Sequence, residues 1–425
     1  MTFTDLKTVA DLPAMADFVD GDDWSRDIRE TARQLAHRAG KGLLRGPENI
    51  IIVSRNHDAR ELAANPDLGN MPTEILLAVA TARDVATPTA SDLAGFEQFL
   101  RNQIFTANPP LHQPSRKTVA RQLMPRGIQR FIPAAQHLAQ ELVDDATSRG
   151  KIDFVRDFAG PFVARFWAGQ LGMSADQAAH VHELTDEMSL TFLLARTPEQ
   201  TRRLYSAVST YMDVVGTAVR RAWEAGDNEL LTAMAADLAE IDVEGKPEDI
   251  GRLVASNFFD GFHTVGMAIA NVAFRLLSDE AAHAQVRADP SLVTNAFYEG
   301  TRLEPPLILT QRLTLRDVVH DGVLIPAGSP VGMVWAAANR DPEVFPDADS
   351  YRLTRPIQHG TTFGGGAHLC PGRNVARMLT EVAITALTAP GVDVALVGEE
   401  PDWVPHSIVR QLRALPVTIR RADPR

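Results

Sequence analysis

The stretch Phe363-Gly364-Gly365-Gly366-Ala367-His368-Leu369-Cys370-Pro371-Gly372 holds the only cysteine of this 425-residue chain. A lone cysteine makes no disulfide within the chain, so Cys370 is either an inert buried thiol or a reactive or metal-ligating one. Its surroundings favour a ligand. Three glycines allow a tight backbone that approaches another group closely. Pro371 reads as the first residue of a helix, where a missing N–H costs nothing, and Asn374 to Leu387 continue as an apolar-rich helix. This places Cys370 at a helix N-terminus, where the positive dipole end and free amides stabilise a thiolate. The thiolate is the form that binds iron.

Outward from this loop the chain reads as mainly α with minor β. Ile132–Ser148, Asp157–Gly172, Ala175–Leu194 and Glu199–Ala225 have helical amphipathic spacing, and Ile250–Leu277 is the most apolar helix. Asn49–Ser54 is a short strand candidate behind Gly46-Pro47, with a helix from His57 to Ala64. Leu313–Val334 alternates Val, Ile and Leu between the turns Asp321-Gly322 and Ala327-Gly328, as strands do. Asn339–Pro346 is a loop leading toward the cysteine. No linker, repeat or low-complexity stretch divides the chain, so a single domain over residues 1–425 is expected. Hydrophobic residues are 45% of the chain, enough for a sizeable core, and the net charge of −12 argues against nucleic-acid binding. Met1–Trp24 has neither a membrane-length apolar run nor a signal-peptide pattern, which points to a cytoplasmic protein with no membrane partner.

The ten-residue loop resembles the haem-binding loop of the cytochrome P450 superfamily. That signature runs aromatic, two residues, Gly, one residue, basic, one residue, Cys, one residue, Gly. Phe363, Gly366, His368, Cys370 and Gly372 match it, with His at the basic position where Arg is commoner. The resemblance extends along nearly the whole chain, least clearly in the N-terminal forty residues. It implies a triangular, helix-rich prism with small β-sheets, haem b (iron protoporphyrin IX) as cofactor, and Cys370 as the axial ligand of the haem iron.

Further residues take expected roles from the same resemblance. Glu299 and Arg302, three apart on a helix and able to pair, would orient the loop beneath the haem. Glu30–Arg33 has the same spacing, and context selects Glu299. The usual third basic member falls at Ser350, leaving Arg352 or His359 as substitutes. Haem propionates need cationic partners, and His112, Arg116, Arg312 and His368 stand at matching positions. Pro114 puts His112 and Arg116 in a helix's first turns, on one side. Phe363 and Gly261 complete the expected cofactor contacts.

The centre of the apolar helix, Phe258-Phe259-Asp260-Gly261-Phe262-His263-Thr264, breaks its own apolar pattern, and such exceptions mark function. Gly261 and Thr264 match the family. The acid position is His263, and the small residue before Gly is Asp260. Thr264 is expected to help hold dioxygen and water. His263 or Asp260 would relay protons. The plain alternatives are a Thr264 hydroxyl bonded to the carbonyl four residues back and a His263 turned into a satisfied core network. Asp260 is expected to pair with His263, Arg252 or another Arg; otherwise it faces the pocket and meets a basic or hydroxylated substrate.

Substrate contacts are expected within Thr87–Phe105, Met188–Leu194, Phe258–Val265, Leu307–Thr310 and Ser407–Val409. Phe262, Leu307, Ile308, Leu309, Ile408 and Val409 would make an apolar site for a small hydrophobic compound, and each is also a plausible core residue. No flavin or nicotinamide domain is evident, so electrons would come from a ferredoxin-type iron–sulfur protein and its reductase. Arg121, Arg126, Arg373 and Arg377 are candidates for that docking face. The expected activity is insertion of one oxygen atom from O2, giving hydroxylation and, beside a heteroatom, dealkylation. The alternatives are a peroxide-dependent or coupling enzyme with altered proton delivery, and a haem sensor without turnover.

Overall fold

The computed structural model describes residues 6–21, 23–40, 42–83, 89–398 and 400–421. Parts of Met1–Trp24 and the start of Thr87–Phe105 lie outside the described residues. The chain divides into two compact units: Met1–Met71 with Tyr298–Cys370 and Val404–Gln411, and Pro72–Phe297 with Pro371–Trp403 and Leu412–Arg425. Among the described residues no helix is long and apolar enough to cross a membrane.

The first unit is built on a five-stranded sheet in the order Leu44–Arg45, Ile51–Val53, Pro330–Met333, Thr310–Thr314, Leu68–Asn70. Its one parallel pairing matches Ile51 to Val331 and Val53 to Met333. The run Ile51-Ile52-Val53 is buried throughout, which explains a continuous β-branched strand rather than an alternating one. Ile51, Val53, Leu62, Leu68, Val331, Met333 and Trp335 share one apolar core. Asp321 and Gly322, at φ 51° and 75°, close the hairpin between Val318–His320 and Val323–Ile325. The strand expectation at Asn49–Ser54 is therefore met at its centre only; Pro47–Asn49 forms a 3-10 turn.

In the second unit the apolar helix Ile250–Leu277 packs against Pro198–Ala225, Ala175–Met188 and Gly160–Gln170. It starts where the Asp249 carboxylate accepts the Arg252 N–H at 2.9 Å. It ends where the Ser278 hydroxyl donates to the Phe274 carbonyl at 2.7 Å. Three amphipathic segments are helices close to their expected bounds, Ile132–Arg149, Gly160–Gln170 after a π turn and Pro198–Ala225, while the one expected over Ala175–Leu194 ends at Met188 and gives way to the 3-10 turn Ser189–Phe192. Glu229–Ala239 and Ala90–Arg101 are further helices. A three-stranded antiparallel sheet sets Pro416–Arg421 between Lys151–Asp153 and Val392–Leu396.

Pro371 is not the first residue of a helix. The helix is Arg373–Leu387, and Gly372 is its N-cap. Its first hydrogen bond runs from the Ala376 N–H to the Gly372 carbonyl at 2.9 Å, so Pro371-Gly372 form a turn ahead of it.

Candidate active site

Three bonds shape the cysteine loop. The Cys370 N–H donates to the Phe363 carbonyl at 2.9 Å, the Leu369 N–H to Gly366 at 3.2 Å, and the Gly364 N–H to Thr361 at 2.9 Å. The result is a folded-back loop with Cys370 half-buried. Gly366 is required sterically: its φ is +59°, and a Cβ there would stand 2.0 Å from the Ala63 carbonyl oxygen. His368 lies half-buried in the 3-10 turn Gly366–His368.

The loop hangs from a buried ion network. Glu299 and Arg302 form a bidentate pair at 2.7 and 2.8 Å. Arg302 also donates to the carbonyls of Asn339, Ala348 and Ser350 at 2.9, 2.7 and 3.2 Å. The Asn339 side chain accepts from the Thr361 N–H at 2.7 Å and donates to the Thr362 hydroxyl at 2.9 Å, just before Phe363. The third cation is Arg355, whose Nε donates to Glu299 at 2.9 Å. This corrects the expectation at Ser350, Arg352 and His359. Ser350 contributes a carbonyl, and Arg352 gives its backbone N–H to Glu299 while its side chain pairs with Asp347. His359 meets Arg60. Burial pushes the Glu299 carboxyl up, but Arg302 and Arg355 outweigh it and hold it below the usual range. Glu30–Arg33, of identical spacing, pairs on the surface at 2.7 Å with both side chains over a third exposed.

Arg312 is buried on Thr310–Thr314, and it donates to the Asn70 side chain at 2.9 Å and weakly to the Gln311 carbonyl. Among the described residues no carboxylate pairs with it, and dehydration pulls its guanidinium down to about 10. A buried cation without a counter-ion fits an anionic group, as the propionate expectation requires. The lone thiol, the glycine whose Cβ would collide, and this cation together suit haem. In the second unit His112 is buried and Arg116 half-buried on the helix His112–Ala120, one turn apart, with Pro114 in the first turn.

On the apolar helix, Thr264 is half-buried and its hydroxyl donates to the Asp260 carbonyl at 2.5 Å. This is the back-bonded geometry weighed as the plain alternative, and it leaves the oxygen's lone pairs free to accept. His263 is buried, lies parallel to Phe192 and Phe259 at 6.1 and 6.2 Å, and brings Nδ1 within 3.9 Å of Asp186. Asp186 is also 3.9 Å from His182. Burial raises the Asp186 carboxyl despite the His182 charge.

Asp260 does not pair as expected. His263 meets Asp186 and Arg252 meets Glu248; among the described residues no cation lies against Asp260. Its side chain is open to solvent, yet the protein around it dehydrates the carboxyl and raises it to about 7. Gly261 admits the Trp167 indole, whose N–H donates to the Gly261 carbonyl at 3.3 Å.

The apolar candidates divide. Phe262, Ile308 and Val409 are buried, while Leu307, Leu309 and Ile408 keep partly exposed surface. Leu307 bridges to Val409, and the Ile308 N–H donates to the Ile408 carbonyl at 2.9 Å, so these two segments are adjacent. Of the four candidate docking arginines, Arg121 pairs with Asp237, Arg126 is exposed and Arg377 lies 3.7 Å from Glu381. The Asn374 amide, beside Arg373, donates to the Leu123 carbonyl at 3.1 Å and ties the two stretches together.

The thiolate loop and its ion network define a haem-thiolate protein, and the comparisons agree. Residues 172–388 match the cytochrome P450 family, and the chain belongs to it. It is 29% identical over 420 residues to the cytochrome P450 monooxygenase PikC of Streptomyces venezuelae, covering 97% of this chain and 95% of that one. It is 28% identical to the 6-deoxyerythronolide B hydroxylase of Saccharopolyspora erythraea, over 76% of this chain and 81% of that one. The vitamin D(3) 25-hydroxylase of Pseudonocardia autotrophica is 27% identical, over 87% and 88%. Among solved structures CalO2 superposes with a TM-score of 0.81 at 23% identity, over 95% of this chain and 98% of that one. The chain is a haem-dependent monooxygenase with the mainly α, minor β fold of that family.

Proposed function

We propose that this chain is a cytoplasmic monooxygenase, acting as one domain over residues 1–425, that hydroxylates a small hydrophobic substrate. Where the carbon attacked adjoins a heteroatom, dealkylation follows. Haem b would be held by Cys370, and electrons would come from a ferredoxin-type iron–sulfur protein and its reductase. The observation that carries this reading is the half-buried Cys370 thiol in a loop suspended from the Glu299–Arg302–Arg355 network.

Bound there, haem supplies activation of dioxygen and transfer of one oxygen atom to the substrate. The remaining work falls to side chains. Arg312, His112, Arg116 and His368 would supply the donors and charge that two propionates require, and Phe363 and Gly261 would contact the cofactor. Thr264, its proton engaged by the Asp260 carbonyl, would accept a hydrogen bond from a water molecule and hold it beside dioxygen. His263 hands protons inward from Asp186. Leu307, Leu309 and Ile408 would offer apolar surface to substrate, with Ile308 and Val409 buried beside them, and Phe262 would contribute from the apolar helix. Arg121, Arg126, Arg373 and Arg377 form the docking face for the electron donor.

The test is a spectral screen of the ferric protein with neutral terpenoids, steroids, aromatics and fatty acids. Each hit is then turned over with ferredoxin, reductase, NAD(P)H and isotopically labelled dioxygen. One labelled oxygen atom in the product is expected. Faster product formation with peroxide alone would favour the peroxide-dependent alternative. Absence of product under both regimes would leave a haem sensor.

A further inference from the structure

Asp260 is the one feature of the apolar helix that the oxygenation chemistry above does not use. It follows Phe258 and Phe259 and precedes Phe262, all buried, so the helix carries a carboxylate among buried aromatic residues. The position is open to solvent, and no cation among the described residues approaches it. Tyr211, on Pro198–Ala225, has a buried hydroxyl that feels the Asp260 charge, and no group among the described residues hydrogen-bonds it. Tyr211 packs edge-on against Phe259 and Phe262 at 6.3 and 6.4 Å, so the neighbours of the carboxylate on this side are aromatic. A carboxylate bordered by aromatic rings and without a cationic partner is a ready ion-pair site for an arriving cation. The attraction between that cation and the carboxylate is stronger beside low-polarity rings than in bulk water, and it needs no N–H on the cation. A neutral hydroxyl or ketone gains less.

We propose that Asp260 anchors a positively charged amine of the substrate, one helical turn from Thr264, so that the substrates of this enzyme are hydrophobic amines oxidised close to nitrogen. The net charge of −12 also favours approach of cations over anions. The position of oxidation rests on the oxygenation reading of Thr264; the anchor itself does not.

The experiment compares matched ligands on the haem-loaded full chain. Each set is an apolar tertiary amine, its quaternary ammonium analogue, which has no lone pair for iron, and its neutral carbon isostere. Affinity is measured by titration calorimetry, with the Soret shift recorded in parallel. The quaternary ammonium is expected to bind the native protein about 10-fold to 100-fold tighter than the isostere. Asp260→Asn should reduce ammonium binding to the level of the isostere and leave the isostere unchanged. Asp260→Glu, which keeps the charge and guards against a misfolded Asn variant, should retain part of the preference. Equal affinity for ammonium and isostere in the native protein overturns the proposal. So does a preference that survives Asp260→Asn, or one shown only by the tertiary amine with the red-shifted Soret band of nitrogen bound to iron. Tight ammonium binding without product from labelled dioxygen would keep the anchor and remove the monooxygenase reading. Oxygenation of neutral substrates without ammonium preference would do the reverse.

Discussion

Arg355→Ala tests the ion network directly. In the native chain Glu299, Arg302 and Arg355 have side chains 4%, 4% and 9% exposed. The substitution removes one charge-assisted bond, Nε to Glu299 at 2.9 Å, worth about 1.5–3 kcal/mol. It also removes bonds to the Pro346 and Asp347 carbonyls, which lie where water takes over. Glu299 keeps its bidentate bond to Arg302 and the Arg352 N–H, so no bare charge remains. The expected loss is therefore about 2–3 kcal/mol. Glu299→Gln is worse, because it leaves two buried guanidinium groups without their anion, a loss of about 3–5 kcal/mol. Arg355→Lys should recover less than half of the alanine loss, since a point charge does not reproduce the fork that spans Glu299 and two carbonyls. Urea unfolding of the haem-loaded chain, followed by circular dichroism and by the Soret band, measures all three. In the double variant, Arg355→Ala should cost clearly less when combined with Glu299→Gln than alone. An Arg355→Ala loss below about 0.5 kcal/mol, or a Glu299→Gln loss smaller than it, would refute the assignment of Arg355 as the third member.

Arg312→Met should act with opposite signs in the two forms. The haem-free chain loses an uncompensated buried cation and gains about 1–2 kcal/mol in urea unfolding, while haem titration shows weaker binding. Gly364→Ala, at φ +70° with its nearest neighbour 3.8 Å away, should cost about 1 kcal/mol and retain haem, whereas Gly366→Ala, facing the Ala63 oxygen, should cost roughly 3 kcal/mol or more and lose haem during purification. The buried His320–Asp58 contact at 3.1 Å sets a pH window. The Asp58 hydrogen bond raises His320 above its ordinary value, so its contribution is full below about pH 6.5 and fades as pH rises through the raised value. Burial pushes Asp58 up, but His320 outweighs it and lowers the net value, so that contribution holds above about pH 4 and fades as pH falls through the lowered one. His320→Gln should flatten the alkaline fall in thermal midpoint; an unchanged pH profile would remove the pair from the stability of this unit.

Features carried by local pattern were legible in the sequence. The apolar helix was read with its observed ends from its apolar spacing, and the structure shows the Asp249 cap and the Ser278 closure at those ends. Glu299–Arg302 was separable from Glu30–Arg33 by context alone; the spacing is the same, and burial differs. Features closed through space were not legible. Arg355 reaches Glu299 across 56 residues, and the only signal available was a basic residue a few positions beyond the expected one. The partner of His263 is Asp186 on another helix, and nothing in the helix sequence names it. Pro371 was misplaced because a turn and a first helical residue both accept proline. Asp260 was expected to be paired because buried charges usually are; only the positions of Arg252 and His263 show that these partners face elsewhere.

The most direct measurement is the absorption spectrum of the reduced, carbonyl-bound protein beside that of Cys370→His. Cys370 as thiolate ligand requires the strongly red-shifted Soret band of haem-thiolate proteins in the native chain and its replacement by an imidazole-type band in the variant. A native chain that binds haem but gives the imidazole-type band, or whose red-shifted band survives Cys370→His, would contradict the assignment of the iron ligand on which the rest depends.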